Sequence, residues 1–328
     1  MPSGRLTVVA FGAALALAVA AWDARGSAAQ SRPPLVLEPL GLTGEAIFPA
    51  FEGWGPHKDG EQVLLLGYYN RNRSQELDIP IGPDNRIEPG GPDHGQPTHF
   101  YTGREYGIFA IRVPKNFGTQ KLTWTLTANG QTSTVSFWLN PQYFLDFFKH
   151  HANGNEPPTI RFASTGPELT GPPRGMAHTL SGTVGQPVPL RAWVSDRPQR
   201  MADVEDELAA RNTRPQGAGL GADRVAIIGG QVIGAPQSTP APAGPEPSPD
   251  ITVTWKKYRG PGEVTFKPAR IPALTKGDPG RVVDVATTAT FSTPGEYVVR
   301  AQVNDQSGDG GSGLQCCWTN AHVKVTVR

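Results

Sequence analysis

The sequence predicts an all-β protein built from two tandem sandwich domains that follow an N-terminal targeting segment. Three observations support this prediction: an apolar leader, an abundance of glycine (39) and proline (33), and many stretches in which apolar residues alternate at period two. Glycine and proline at this frequency favour short strands joined by turns over long helices. After removal of the leader about 300 residues remain, a typical length for two domains.

Residues 1–29 have the three parts of a secretory signal peptide. Arg5 supplies the positive start, Leu6 to Ala21 are small or apolar, and Ser27-Ala28-Ala29 suits a cut after Ala29. The apolar stretch is shorter than the roughly 20 residues of a membrane-spanning helix. We therefore expect an exported protein, periplasmic or extracellular, with no membrane span in the mature chain. An N-terminal membrane anchor is the alternative.

The charge of the chain is balanced, with 30 basic and 29 acidic residues and a formal net charge of +1. A chain without a basic stripe lacks the electrostatic footprint of a nucleic-acid-binding protein. The sequence therefore predicts no nucleic-acid partner, and it leaves a protein or a glycan of the cell envelope as the expected partner.

The first predicted domain, residues 30–150, is defined by its strands. Gln62 to Asn70 is a largely apolar run that is typical of a central strand. The clearest element is a hairpin from Lys121 to Leu139, in which both strands alternate at period two on either side of Asn129-Gly130. Asn-Gly favours the two-residue type I′ turn, whose twist matches that of the flanking strands.

Residues 140–151 connect the two domains. Asn140 and Pro141 suit the start of a helix, and the aromatic residues that follow are three and four positions apart. The sequence leaves two alternatives for this segment, a short amphipathic helix and an extended aromatic arm across the domain junction.

The second predicted domain, residues 151–328, again shows strands of period two, interrupted at about residues 197–250. The interruption has helical spacing from Met201 to Arg211, and from Gln237 onward it is dominated by proline, alanine and serine. Such a composition buries too little apolar surface to order itself. We predict an inserted segment with one short helix and a disordered end.

The second domain contains a distinctive set of residues, spread along most of its length. In chain order these are Asn155, Pro157-Pro158, a strand ending at Asp196, Val253-Thr-Trp255, Gly260-Pro261, Val264-Thr-Phe266, Thr290-Phe291, Pro294-Gly295, Tyr297 and Asp305. The pattern resembles the polycystic-kidney-disease-type (PKD-like) branch of the immunoglobulin-like sandwiches over residues 155–328, less the insertion. The resemblance implies a tryptophan between two sheets and a tyrosine at a sandwich corner. It also implies a role in adhesion, spacing or ligand presentation outside the cell.

The first domain resembles that family only in the spacing of its strands along the sequence. The full fold prediction is therefore all-β, with two tandem immunoglobulin-like β-sandwich domains after a signal peptide and a partly disordered insertion in the second.

Cys316 and Cys317 are the only cysteines of the chain. In an oxidising compartment an even count favours a disulfide, here a vicinal one that stiffens its own turn. The alternatives are pairing with another chain and reduced thiols that bind a soft metal with His322. Because recognition is usually placed on loops of a rigid scaffold, we predict that Cys316, Cys317 and Trp318 form the contact surface.

Two sets of residues are candidate metal ligands. Asp196 and Asp305 each end a strand of the matched pattern, and at one pole of the sandwich they would offer carboxylates to calcium. The loop after Asp305 lacks the closing glutamate of an EF-hand, so a solvated loop is the alternative. His94 and His99 share one loop, which gives the rival hypothesis of a metal-dependent hydrolase.

No nucleophile elbow, zinc-protease helix motif or phosphate loop occurs in the sequence. The leading hypothesis is therefore a non-enzymatic binding, adhesion or structural module of the bacterial envelope without a cofactor. An assembly subunit of an envelope complex is a further alternative.

Carbohydrate binding would use exposed aromatic residues. Most of the candidates are interpreted as core or junction residues: Trp54, Tyr68, Tyr69, Trp138, Tyr143 and Trp318.

Overall fold

The computed structural model describes residues 41–57, 59–149, 155–196, 251–273, 280–305 and 318–328, together with the backbone of 227–228 and 231–232. Several predictions fall outside these residues and stay predictions: the signal peptide with its cut after Ala29, the helix and the disordered end of the insertion, and the state of Cys316 and Cys317. In the described residues the regular structure is almost entirely β-strand, which confirms the all-β fold class.

The N-terminal half, residues 41–149 without residue 58, forms antiparallel sheets. Its strands are β1 (Ile47–Pro56), β2 (Gln62–Asn70), β3 (Leu77–Asp78), β4 (Asn85–Glu88), β5 (His99–Phe100), β6 (Gly103–Val113), β7 (Leu122–Ala128) and β8 (Gln131–Phe137). The sheet orders are β1-β2-β6, β4-β7-β8 and the short pair β3-β5. The predicted hairpin is present, with φ angles of 51° at Asn129 and 73° at Gly130 between β7 and β8.

Trp124 on β7 lies at the centre of the N-terminal core. Its side chain is fully buried, with its ring edge-on to Phe109 at a centroid distance of 5.1 Å. The indole Nε1 donates to Asn85 Oδ1 at 3.0 Å, so the buried N–H has the partner that it needs.

The C-terminal half, residues 155–328 with the gaps given above, contains the remaining strands. These are β9 (Thr159–Arg161), β10 (Met176–Gly182), β11 (Val188–Ser195), β12 (Ile227–Ile228), β13 (Gln231–Val232), β14 (Ile251–Arg259), β15 (Val264–Lys267), β16 (Arg270–Ala273), β17 (Val283–Phe291), β18 (Gly295–Asp305) and β19 (Trp318–Val327). They form the sheets β10-β19-β18-β14-β16 and β15-β17-β11-β9, and β12 pairs with β13 alone.

The strand order of this half is that of an immunoglobulin-like sandwich. The sheet β9-β11-β17-β15 corresponds to strands A-B-E-D, and β19-β18-β14-β16 corresponds to G-F-C-C′. Trp255 on β14 is buried in the core between these sheets. The Tyr297 hydroxyl donates to the Thr293 carbonyl at 2.8 Å, as the tyrosine corner of such sandwiches requires. Both residues therefore take the places that the sequence pattern implied.

The connection between the halves is extended, which decides between the two alternatives for it. Pro141–Tyr143 is a single 3-10 turn, capped by the Asn140 side chain, which accepts from the Gln142 N–H at 3.1 Å. The chain then runs beside β1, where the Leu145 N–H donates to the Trp54 carbonyl at 2.8 Å. An amphipathic helix is wrong for this segment up to residue 149, and the extended aromatic arm is correct.

All described residues belong to one compact unit, although they surround two main hydrophobic cores. The predicted domain boundary at residues 150 and 151 lies outside the described residues and stays a prediction.

Candidate functional site

The two halves meet in a junction, which we define as the contacts between residues 41–149 and residues 155–328. At its centre the carboxylate of Glu105 on β6 is paired with Lys256 on β14 and Arg300 on β18. Burial alone would raise the pKa of Glu105, but the positive charges of Arg300 and Lys256 more than offset it and lower the pKa. Glu105 is therefore ionised at neutral pH, in a site where its charge depends on these two partners.

A second ionic cluster lies at His99. Its Nδ1 is 3.0 Å from Asp78 Oδ1 and its Nε2 is 3.2 Å from Glu76 Oε2, so carboxylates face both ring nitrogens. Lys257 joins Asp78 from the other half at 2.9 Å. Burial would raise the pKa of Asp78, but hydrogen bonds from His99 and Lys257 lower it.

This cluster bears on the hypothesis of a metal-dependent hydrolase. Both His99 nitrogens are already occupied, and the His94 backbone N–H donates to Gln96 Oε1 at 2.8 Å within its own loop. Among the residues that the structure describes, no group of three or more His, Cys, Asp or Glu side chains is placed to hold a metal ion. The metal-dependent hydrolase at His94 and His99 stays a prediction.

Trp318, predicted as part of an exposed contact surface, lies in the junction instead. Its side chain is only 6% exposed, and a Cβ at Gly107 would lie 3.2 Å from both the Trp318 ring and the Leu65 side chain. The missing side chain of Gly107, whose φ is 52°, thus makes room for the indole. This placement corrects the expected exposure of Trp318. Cys316 and Cys317 lie outside the described residues, and binding by their loop stays a prediction.

Asp196 directly follows β11, and Asp305 is the last residue of β18. Both side chains are buried. Asp305 Oδ2 accepts from Asn155 Nδ2 at 2.5 Å, and the Asp196 carbonyl accepts from the Gly280 N–H at 2.7 Å. These contacts tie the strand ends to neighbouring segments. A calcium site at the two aspartates stays a prediction.

A cleft of about 310 Å³ opens between the aromatic arm and the segment that follows it. We call it the junction cleft; it is lined by both halves, with His57, Phe148, Glu156, Thr159, Glu168 and Arg174 among its walls. Its volume is at the lower end of the range for pockets that bind small molecules.

His57 is a buried polar residue in the wall of this cleft. Its ring is edge-on to Phe148 at a centroid distance of 5.4 Å. Its Nδ1 lies 3.2 Å from Asp59 Oδ1, and both ring nitrogens are buried. Burial and the charge of Arg174 lower the pKa of His57, so the ring is neutral at neutral pH.

The other walls carry charges of both signs. Arg174 donates to Asp59, which also binds Arg112. Desolvation would raise the pKa of Asp59, but hydrogen bonds from Arg112 and the Glu61 backbone lower it, so the aspartate holds both guanidinium groups as an anion. Glu156 and Glu168 supply exposed carboxylates. The cleft thus combines hydrogen-bond donors, acceptors and an aromatic face.

No pattern in the sequence indicated His57, because it lies in a strand-to-strand loop and its cleft partners are distant in the chain. Two of the aromatic candidates for carbohydrate contact, Tyr68 and Trp318, are buried. Tyr143 is half exposed on the aromatic arm. Where the structure describes the chain, no helix has the length and apolar character needed to cross a membrane.

Comparison with known proteins gives little further information. No protein-family model and no curated protein matches the chain. Solved structures similar to it include the D00-D0 domain of Intimin, with 10% identity over 86% of this chain and 100% of that chain, at a TM-score of 0.24. A TM-score this low does not support a conclusion about fold or function. The immunoglobulin-like assignment therefore rests on the strand order, Trp255 and Tyr297.

Proposed function

We propose that this chain is an exported, non-enzymatic binding module of the bacterial envelope that holds a glycan in the junction cleft. The observation that carries the proposal is the composition of that cleft, where a buried neutral histidine, carboxylates, a guanidinium and an aromatic ring surround one space. The PKD-like resemblance of the C-terminal half supports a ligand-presenting role outside the cell.

The polar groups of the cleft suit a sugar better than a single charged group. Each sugar hydroxyl is both a donor and an acceptor. The exposed carboxylates of Glu156 and Glu168 accept, Arg174 donates, and Phe148 offers an apolar face to the C–H side of a sugar ring.

The hydroxyl groups of the cleft support binding over catalysis. Thr159 Oγ1 is hydrogen-bonded to Ser195 Oγ at 2.8 Å, and Thr170 Oγ1 lies 3.4 Å from the Pro157 carbonyl. In the described part of the chain neither hydroxyl has a hydrogen bond to His57, so His57 is not placed to activate either one as a nucleophile.

The test is a titration of the mature protein with a panel of N-acetylhexosamines, neutral hexoses and hexuronates, followed by calorimetry. We expect at least one sugar to bind and Glu156→Gln, which removes the charge of an exposed acceptor in the cleft wall, to weaken binding about tenfold. Glu168→Gln, at another exposed position of the wall, should weaken it in the same direction.

Glu263→Gln is the matched control, since Glu263 is exposed and does not line the cleft. It should leave the affinity unchanged. The proposal fails if no sugar of the panel binds, or if the bound sugar has the same affinity for the wild type, Glu156→Gln and Glu168→Gln.

A further inference from the structure

We propose that the glycan held in the junction cleft is an amino sugar with a free, protonated amine. This assignment rests on the proposed function and adds to it the charge of the ligand. Its basis is the charge balance of the cleft wall, which contains two carboxylates, Glu156 and Glu168, and one guanidinium group, Arg174. The wall therefore carries one more negative than positive charge.

The positive charge of the wall is already neutralised by the protein. Arg174 donates to the carboxylate of Asp59, and Asp59 also binds Arg112. Arg112 in turn binds Glu61, so two carboxylates compensate these two guanidinium groups. Burial and the charge of Arg174 lower the pKa of His57, and its ring adds no positive charge at neutral pH. An anionic sugar would thus have to compete with Asp59 for Arg174.

The negative charge of the wall is only partly neutralised. Glu168 Oε1 lies 3.5 Å from Arg161 Nη1, and the Glu168 side chain remains 46% exposed in this loose ion pair. Glu156 is exposed and has no ion-pair partner among the residues that the structure describes. Lys149, the neighbour of Phe148 in the chain, does not line the cleft. The carboxylate of Glu156 is therefore available to pair with a cation of the ligand.

This charge balance discriminates between classes of sugar. A hexuronate brings a second carboxylate, which Glu156 repels, and an N-acetylated sugar brings no charge. A protonated amine donates charge-assisted hydrogen bonds to a carboxylate, and these are stronger than hydrogen bonds between neutral groups. Phe148 is compatible with the same group, because the face of an aromatic ring attracts cations. Since Glu156 is exposed to solvent, we expect a preference of about fivefold for the amine.

Glucosamine, N-acetylglucosamine and glucose are the probes, because they share a ring and differ only in the substituent at one carbon. Calorimetric titration of residues 30–328 at about pH 6, where an amine of this kind is protonated, measures the three affinities. We expect glucosamine to bind about fivefold more tightly than the other two sugars. The preference should decrease between about 20 mM and about 300 mM salt, because salt screens exposed charges.

One variant and one control complete the test. Glu156→Gln keeps the size of the side chain but removes its charge, and it should bring the ratio of the glucosamine and N-acetylglucosamine affinities to about one. Glu263→Gln, which removes an exposed carboxylate outside the wall, should leave the ratio unchanged.

The outcomes separate this assignment from the proposed function. If N-acetylglucosamine or another sugar binds but glucosamine has no preference, or if Glu156→Gln retains the preference, the amine assignment is overturned and glycan binding stands. If no sugar binds at all, neither these three nor those of the wider panel, both are overturned.

Discussion

Glu105→Gln is expected to lower the free energy of unfolding by about 3–5 kcal/mol, the usual cost of breaking a buried ion pair from one side. The substitution keeps the size of the side chain but removes its charge. Arg300, which is 3% exposed, would then keep a buried positive charge without its carboxylate. Urea unfolding of residues 30–328, monitored by tryptophan fluorescence, measures the change.

The control for this prediction is Glu296→Gln, which removes the carboxylate of the exposed pair Glu296–Lys324. It should lower the free energy of unfolding far less than Glu105→Gln does, as is typical of surface pairs. The double variant Glu105→Gln with Arg300→Met removes both buried charges and should recover much of the loss. Equal losses in Glu105→Gln and Glu296→Gln would show that the buried pair does not stabilise the junction.

His322→Gln is expected to flatten the pH dependence of stability between pH 6.5 and 4.5. His322 is buried against the Tyr258 ring at a centroid distance of 4.2 Å. Burial, followed by the positive charge of Arg300, lowers the pKa of His322 to about 3. In the unfolded chain a histidine has a pKa of about 6.5. Between these values the unfolded state binds a proton that the folded state does not.

The sign of the effect follows from this difference. The stability that neutral His322 contributes is fully present above pH 6.5, and it falls by about 1.4 kcal/mol per pH unit as the pH decreases toward the folded pKa. Chemical unfolding at several pH values gives the slope for the wild type and for His322→Gln. The other titrating groups, including His57, occur in both proteins, so the difference between the slopes isolates His322. Parallel slopes would contradict the prediction.

The parts of the fold that depend on local pattern were predictable. The Asn129-Gly130 hairpin needs only a turn that accepts positive φ angles between two alternating strands. Trp255 and Tyr297 were placed by a pattern of residues within one sandwich. The extended aromatic arm was one of two alternatives, and a contact with β1 that local spacing does not encode decided between them.

The junction could not be predicted in this way, because its residues come from strands that are far apart in the chain. Glu105, Lys256 and Arg300 lie on three different strands, and no periodicity links a charge on one strand to its partner on another. Trp318 was expected at an exposed loop because the sequence does not reveal that Gly107 of the other half leaves space for it. His57 was missed for the same reason.

The central claim is that the junction joins both halves into one unit and so maintains the cleft between them. Differential scanning calorimetry of residues 30–328 tests this claim most directly. One unit predicts a single transition whose calorimetric enthalpy equals its van't Hoff enthalpy. Two separate transitions, one for each core, would contradict the claim.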